Sequence, residues 1–452
     1  MRALRDRAAR FNGGPQVRKD LNADALLQTV RSGFEALAEH RTGAVDIPLA
    51  DALMSGFAVF SLKDPSLLAF EKRSDTDPNL HAIYRIGRIP SDTRMREICD
   101  QVAPDLLRAV FGAVFRQVQR GKELKPFVFL DGHYLVSLDG TGFYSSGKVG
   151  SPACLTKTDK RSGKVTYELK LLGAALVHPD HREVIPLAPE MICNGDGQTK
   201  NDCERNAARR WLRKFRQDHP HLPIIITEDA LSPNAPHIRD LREHDCRFIL
   251  SVKPGDHGLL FAYVEEADKQ GLVTHYEMTD PVDPTITHRF RFLDEVPLNQ
   301  SNLEVLVNFV EYWEIGPKGT KHFTWVTDLP VTTKTVYQIM RGGRARWRIE
   351  NETFNTLKNQ GYNLGHNYGL GKAHLAAVFA SLMMLAFLVD QVQQHCCKLF
   401  QAVWEKLGSK RALWDAMRSV FRYFTFTSMT DLYRALLHGI RQTPPQLIVD
   451  TS

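Results

Sequence analysis

The 452-residue chain has few cysteines, and their arrangement excludes two common classes of small stabilised protein. No two of them are spaced as Cys-x-x-Cys, and the seven positions are Cys99, Cys154, Cys193, Cys203, Cys246, Cys396 and Cys397. An odd, scattered set of this kind predicts neither a disulfide framework nor a zinc finger. We therefore expect a protein of the reducing cytosol.

Long apolar runs and the common nucleotide-binding motifs are also missing. The N-terminal stretch MRALRDRAARFNGG is charged throughout and lacks the apolar segment of a signal peptide. The longest apolar run, residues 376–389, is shorter than the ~18 residues that span a bilayer, and it predicts a buried core helix. The chain has no P-loop and no Gly-x-Gly-x-x-Gly after a strand, which disfavours a nucleotide-dependent enzyme.

The composition is otherwise that of an ordinary globular protein. Hydrophobic residues make up 43% of the chain and charged residues 24%. A chain of this length can bury a sizeable core and forms roughly three domains at ~150 residues each. The 58 basic and 52 acidic residues leave a net charge of +6, which favours a polyanionic partner without identifying one.

The spacing of apolar residues changes along the chain and predicts an α/β protein. Helical spacing covers residues 23–120, and successive strand-like patterns follow from residue 127. A helix at 201–218 precedes a short apolar strand that stops at Glu228-Asp229, which is typical of an α/β crossover. Residues 259–314 are again rich in strand patterns, and residues 335–441 are almost wholly helical in pattern.

Three acidic residues occupy positions where a carboxylate is unfavourable unless it binds something. Asp139 ends the segment YLVSLD, Asp229 ends IIITED, and Glu350 lies in the helix RARWRIENETFNTLK. If two strand ends and a helix converge at a sheet edge, the carboxylates repel one another and lose solvation. Shared Mg²⁺ ions, which prefer oxygen ligands, offset that cost and support phosphodiester chemistry. For any one of these residues alone, a turn residue without a catalytic role is the alternative.

The segments around these acids resemble the three signature segments of the DDE transposases of bacterial insertion sequences. The resemblance lies in Asp-Gly-Thr at 139–141 shortly before FYSS, in Asp229 followed by Ala-Leu-Ser, and in WRIENETFNTLK, and it extends over residues 127–372. In the cut-and-paste group with a β-rich insertion, the third segment reads Tyr-x2-Arg-x3-Glu-x6-Lys. Arg346 and Glu350 match that pattern. Gly343 stands in the place of the Tyr, and Lys358 comes one residue late.

The resemblance implies an RNase H-like catalytic core that is interrupted by a β-rich insertion and flanked by helical regions. The expected units are an N-terminal, DNA-binding region at 1–125, the core at 126–254 and 321–395, the insertion at 255–320, and a C-terminal helical region at 396–452. About 120 residues separate Asp229 from Glu350, more than a minimal core needs. The surplus accommodates the insertion.

The resemblance also implies an activity. Asp139, Asp229 and Glu350 would hold two Mg²⁺ or Mn²⁺ ions, hydrolyse a strand at a transposon end and direct the freed 3′-hydroxyl onto target DNA. No organic cofactor is implied. The partners would be double-stranded DNA, as terminal inverted repeats and target, and a second copy of the chain on DNA, in the bacterial cytoplasm at the nucleoid and away from membranes. Two alternatives remain, an RNase H-like nuclease that cuts without joining and a non-catalytic DNA-binding derivative.

Basic residues close to these acids in sequence are candidates for phosphate contacts. We expect five of them to bind DNA: Arg344, Arg346, Arg348, Lys358 and Lys253. The helix at 201–218 carries a further row of basic residues that could follow a DNA backbone, and the alternative is that they only form a solvated face. These residues are Arg205, Arg209, Arg213 and Arg216. For Tyr312, Trp313 and Trp325, core packing is favoured over stacking on a DNA base.

A helical wheel selects Glu350 rather than Glu352 as the third acid. At ~100° per residue, Glu350 falls inside a predicted buried arc and Glu352 falls on the opposite, solvated side. The arc consists of Trp347, Ile349, Phe354 and Leu357. An inward carboxylate is costly unless it is paired or metal-bound. The alternative is a simple ion pair with Arg346 one turn earlier.

Overall fold

The computed structural model describes residues 18–74, 77–194 and 201–439. The N-terminal stretch in which we found no export signal lies outside these ranges. Helices precede the sheet, as predicted: α1 (Ala23–Glu35), α2 (Leu49–Ser61), α3 (Leu67–Ser74), α4 (Asn79–Ala82), α5 (Asp92–Asp100) and α6 (Arg108–Arg120). The first of them begins where the side chain of Asn22 accepts the backbone N–H of Ala25, and it buries Leu26, Val30 and Phe34 at helical spacing.

The centre of the protein is one mixed sheet that runs in the order β2-β3-β1-β6-β7-β11-β10-β9-β8, with β4 and β5 also paired to β3. The strands are β1 (Tyr134–Ser146), β2 (Leu155–Thr158), β3 (Val165–Val177), β4 (Ile185–Pro186), β5 (Glu190–Ile192), β6 (Ile224–Glu228), β7 (Arg247–Ser251), β8 (Thr274–Thr279), β9 (Thr287–Asn299), β10 (Asn302–Gly316) and β11 (Gly319–Thr327). Three helices connect them: α7 (Glu204–Asp218), α8 (Ala235–Glu243) and α9 (Gly258–Lys269).

The first half of the sheet has the RNase H-like arrangement that the resemblance implies. Strand β1 is antiparallel to β3 on one side and parallel to β6 on the other, and β7 continues parallel to β6. Helix α7 leads into β6, and α8 connects β6 to β7. All five residues of β6 are buried, as expected for a parallel strand covered on both faces. The predicted α/β fold class is confirmed.

The strands between Asp229 and Glu350 extend the same sheet. Strand β11 pairs antiparallel with β7, and β10, β9 and β8 follow outward from it. The surplus residues of this part of the chain therefore lie beside the core strands, hydrogen-bonded to them.

Three predicted elements differ from the structure. Residues 127–130, predicted as a strand, instead connect two 3₁₀ turns, Lys125–Phe127 and Leu130–Gly132, and Val128 between them makes a single bridge to Tyr134. The region from 259 begins with helix α9, because Leu260, Val264 and Ala267 are buried at helical spacing. Asp139 does not end a strand, because β1 continues to Ser146 along its partner β3. The local pattern contains no information about this long antiparallel partner.

The C-terminal part is helical, as predicted, and contains α10 (Val336–Ala345), a π-helical segment (Ile349–Phe354), α11 (Asn355–Asn359), α12 (Leu375–Cys396), α13 (Lys398–Leu407), α14 (Lys410–Tyr423) and α15 (Met429–His438). Within the described ranges, α12 is the one helix long and apolar enough to cross a membrane, yet 94% of its apolar window is buried inside the protein. Its Phe379 ring contacts Phe60 of α2. The prediction of a core helix at 376–389 is confirmed.

Candidate functional site

The register of β1 and β6 places Asp139 beside Asp229. The last paired position of these parallel strands joins Ser137 to Thr227, and the two aspartates each lie two residues further along. Neighbouring strands are about 4.8 Å apart, and residues two apart point to the same face. The two carboxylates therefore leave neighbouring strands at the same level, although β1 continues beyond Asp139 and β6 ends at Glu228.

The helical segment that contains Glu350 lies against the sheet at the same level. The Ser137 hydroxyl donates to the backbone carbonyl of Arg346 at 3.2 Å. Gly173 lies opposite Asp139 on β3, and a Cβ there would be 2.7 Å from the ring of Phe354. The absence of that side chain lets Phe354 rest on the sheet. Contacts at both ends of the segment therefore place Glu350 near Asp139.

Arg346 lies between two of the carboxylates. Its Nη1 atom is 2.7 Å from Oε1 of Glu350 and 3.7 Å from Oδ2 of Asp139, and its side chain is only 10% exposed. The ion pair that we weighed as the alternative for Glu350 is therefore present. It also reaches Asp139, so Arg346 acts as a counter-cation for both acids.

The carboxyl group of Asp139 is crowded by negative charge. Burial and the nearby Glu350 carboxylate raise the pKa of Asp139 to about 7, with a smaller contribution from Asp229 in the same direction. Arg346 and the backbone N–H of Gly140 oppose that rise in pKa. The structure thus brings Asp139, Asp229 and Glu350 into one electrostatic environment.

Two further acids and a histidine lie at the site, and sequence reasoning missed them. A small cavity is lined by Asp139 and Asp229 together with Glu204, Glu228 and His237. Burial raises the pKa of Glu204, which lies on α7 so close to Gly140 that a Cβ there would be 2.2 Å from its Oε1. Only the tertiary fold brings α7 to this strand. For Glu228 a local signal existed, since it ends a strand of otherwise uncharged residues directly before Asp229.

The oxygen donors suit a hard divalent cation. In the part of the chain that the structure describes, no group of three His, Cys, Asp or Glu side chains forms a ready-made metal site. Glu350 is instead paired with Arg346, whose positive charge offsets part of the negative charge of the acids. Asp139, Asp229 and Glu350 are the residues that would hold such an ion after Arg346 moves aside.

The other predicted DNA-binding residues have different environments. Lys253 and Lys358 are exposed. Arg348 donates to the carbonyl of Pro179 at 3.1 Å. Arg344 forms an ion pair with Glu314 of β10, so its charge is partly committed inside the protein. The two lysines are thus the freest of the five residues to meet phosphate.

Burial does not separate Glu350 from Glu352 as the helical wheel predicts. Ile349, Phe354 and Leu357 of the predicted arc are buried, but Trp347 is 50% exposed. The side chain of Glu350 is 36% exposed and that of Glu352 is 29% exposed. The angle of ~100° per residue fails here because residues 349–354 form a π-helical segment, a rare local form that is frequent at functional sites.

The partners of the two glutamates do differ. Glu350 pairs with Arg346 beside Asp139, whereas Glu352 lies 3.6 Å from Nη1 of Arg348. The Glu352 carboxylate also acts on the pKa of Lys410 in the C-terminal helices, in the raising direction, although burial lowers that pKa overall. The directions of these contacts, rather than burial, favour Glu350 as the third acid.

The departure from the family pattern at Gly343 has a steric cause. A Cβ at this position would lie 2.4 Å from Nε1 of Trp325, whose indole is buried on β11. A tyrosine there would displace that indole. Trp325 of β11 thus fills the space that the family pattern gives to a tyrosine side chain.

The remaining candidates are mostly structural. On α7, Arg216 donates to the backbone carbonyls of His219, Leu222, His244 and Asp245, and Arg209 pairs with Asp240. These two arginines are therefore not free to follow a DNA backbone. Tyr312 and Trp325 are buried in the core, as the sequence analysis favoured over stacking on a DNA base. Trp313 stacks on His322.

Comparison with known proteins adds two matches. Residues 187–388 match the family model of the transposase DDE domain, a range that contains Asp229 and Glu350 but begins after Asp139. Among solved structures, the chain is similar to a piggyBac transposase in a cryo-EM structure of its synaptic complex with hairpin DNA. The identity is 13%, the alignment covers 96% of this chain and 86% of that chain, and the TM-score is 0.37. No curated protein matches the chain significantly.

Proposed function

We propose that the chain, whose residues 187–388 match the family model of the transposase DDE domain, cleaves DNA at transposon ends and joins the freed 3′-hydroxyl to target DNA. Asp139, Asp229 and Glu350 are the catalytic acids of this proposal. The observation that carries it is that Asp139, on β1, and Asp229, directly after the end of β6, lie at the same level of two neighbouring parallel strands. Glu350 is linked to the same point through Arg346.

The acids of the site are suited to hold two divalent ions, Mg²⁺ or Mn²⁺. Such ions, when bound, activate a water and stabilise the leaving oxygen in phosphodiester chemistry. The chain itself contributes the carboxylate oxygens, fixed by β1, β6 and the π-helical segment. Arg346, released from Glu350, is then within reach of an incoming phosphate.

Double-stranded DNA is the proposed partner, both as terminal inverted repeats and as target. Lys253 and Lys358 are exposed and Arg348 is half-buried near the acids, so they can neutralise phosphates beside the cleaved bond. Two ends must be brought together for transposition, and we therefore propose a homodimer on DNA, in the bacterial cytoplasm.

A strand-transfer assay tests this function. The purified chain is incubated with Mg²⁺, a labelled duplex that carries the terminal repeat flanking its gene, and supercoiled plasmid. We expect the label in the plasmid, and light scattering of the DNA complex should give two protein chains. Cleavage without any joined product would favour the nuclease alternative, and binding without cleavage would favour the non-catalytic one.

A further inference from the structure

The loop that carries Asp229 is closed at its base by a buried pair. Nε2 of His237 lies 2.6 Å from Oε2 of Glu228, and the two side chains are only 5% and 4% exposed. Glu228 is the last residue of β6, and His237 lies in the first turn of α8. The pair therefore joins the two ends of the connection that contains Asp229.

The rest of this connection is also fixed by hydrogen bonds. Oδ1 of Asp229 accepts the backbone N–H of Leu231 at 2.9 Å, and Oδ1 of Asn234 accepts that of His237 at 3.1 Å. Arg205 of α7 donates to the carbonyl of Leu231 at 3.2 Å. Asp229 follows Glu228 directly, so the direction in which the chain leaves β6 decides where the Asp229 carboxylate lies.

The position of the pair relates it to the proposed chemistry. Glu228 and His237 line the same small cavity as Asp139 and Asp229. Both side chains are almost fully buried and bonded to each other, so neither is available to substrate. A group so close to a metal-binding carboxylate, and without access to the reacting atoms, acts through that carboxylate.

We propose that the Glu228–His237 pair positions Asp229 for divalent-metal binding. The pair holds the start of the loop, so that the Asp229 carboxylate faces Asp139. This inference rests on the proposed function and adds two positioning residues to it. Residues that orient metal ligands from outside the ligand set typically change metal affinity 10- to 100-fold when they are replaced.

Replacing His237 should change metal affinity in opposite directions, depending on whether the residue acts by positioning Asp229 or only by its charge. Replacing His237 by an uncharged residue either removes a positive charge or changes none, and it leaves the Glu228 carboxylate without its donor. By Coulomb's law alone, a divalent cation would then bind equally well or more tightly. Loss of positioning predicts weaker binding.

The test measures Mn²⁺ binding to the full chain by electron paramagnetic resonance of the free ion. We expect His237→Leu to weaken binding about 10-fold or more. His237→Gln should bind nearly as wild type, because its amide N–H can still donate to Glu228. Ile238→Ala, a buried change on the same helix, should lower the melting temperature and leave Mn²⁺ binding unchanged.

If His237→Leu fails to fold, His237→Asn, whose shorter amide does not reach Glu228, is expected to weaken binding in the same way.

The variant Asp229→Asn distinguishes a failure of the positioning inference from a failure of the proposed metal site. If it abolishes Mn²⁺ binding and His237→Leu binds as tightly as wild type, the positioning inference is overturned and the metal site stands. If Asp229→Asn leaves Mn²⁺ binding unchanged, the proposed function is wrong at this residue and the inference fails with it.

Discussion

At the scale of single residues, the ionised carboxylate of Asp139 carries an electrostatic cost in the folded protein. Asp139 has a pKa of about 7 in the folded protein, well above that of an unfolded aspartate. A raised carboxyl pKa destabilises the fold as pH rises from the unfolded pKa to the folded one, and the full cost remains above pH 7. The ionised carboxylate that the proposed metal site needs at Asp139 therefore lowers the stability of the metal-free fold.

Asp139→Asn is accordingly expected to stabilise the metal-free protein by about 4 kcal/mol at pH 8 and by only about 0.5 kcal/mol at pH 4, where the acid is protonated in the folded state and about half protonated in the unfolded state. Urea unfolding in EDTA at the two pH values measures the difference. Equal effects at pH 4 and pH 8 would show that Asp139 is not under the strain described. The same variant should have lost metal-dependent cleavage.

The two glutamates of the π-helical segment offer a matched pair. We expect Glu350→Gln to lose metal-dependent DNA cleavage by 10²-fold or more, because it removes a proposed ligand. Glu352→Gln, which alters the contact with Arg348 and the charge that acts on Lys410, should cleave at close to the wild-type rate. Single-turnover cleavage rates decide the matter. Equal loss of cleavage in both variants, or loss in Glu352→Gln alone, would mean that Glu350 is wrongly assigned as the third acid.

At the scale of elements, one capping residue anchors the central helix. A carboxylate of α5, Asp100, accepts the backbone N–H groups of Lys372, Ala373, His374 and Leu375 at 2.8 to 3.0 Å, at the start of α12. Burial raises the pKa of Asp100, but these four donors outweigh it and lower the pKa overall. The N-terminus of α12 is thus satisfied from a distant part of the chain.

Asp100→Ala should therefore cost about 2 kcal/mol of stability at pH 7, at the upper end for a helix cap. Since the folded pKa is lowered, this contribution is present above the unfolded pKa near 4 and disappears as pH falls through the folded value. Urea unfolding measures it, with Asp92→Ala on the same helix as control. A loss that is as large at pH 2 as at pH 7 would contradict the capping role.

Elements with a strong local apolar pattern were the most predictable. The segment VTYELKLLGAALV forms β3 from end to end, and the apolar run at 376–389 lies within α12. The strand predicted at 127–130 is absent because the chain turns there before β1, and the π-helical segment changed the face on which Trp347 lies. The three acids could be selected from their local segments. Glu204 and His237 could not, because their relation to the site depends on how α7 and α8 meet β6.

At the scale of the whole molecule, the mild positive charge matters only where it is exposed near the acids. Many arginines are committed to internal partners, as Arg216 and Arg344 show. Lys253 and Lys358 are exposed, in the loop after β7 and in α11. DNA affinity should therefore depend on a few cations rather than on the net charge.

We expect log affinity for DNA to fall steeply and linearly with log salt concentration, because phosphate contacts release counterions. Lys253→Ala and Lys358→Ala should each reduce the slope by about one, whereas Lys269→Ala, whose ammonium already pairs with Glu266, should not. Fluorescence anisotropy over a salt series provides the slopes. A flat salt dependence in the wild type would rule out this mode of binding.

We propose that Asp139, Asp229 and Glu350 form one metal site, and that Arg346 neutralises these acids in the absence of metal. Anomalous diffraction from crystals of the protein soaked in Mn²⁺ measures this most directly. We predict an anomalous peak in contact with the carboxylates of Asp139 and Asp229, with Glu350 released from Arg346 and turned toward the ion. If saturating Mn²⁺ produces no peak at these residues and Arg346 is still paired with Glu350, the three acids do not form a metal site.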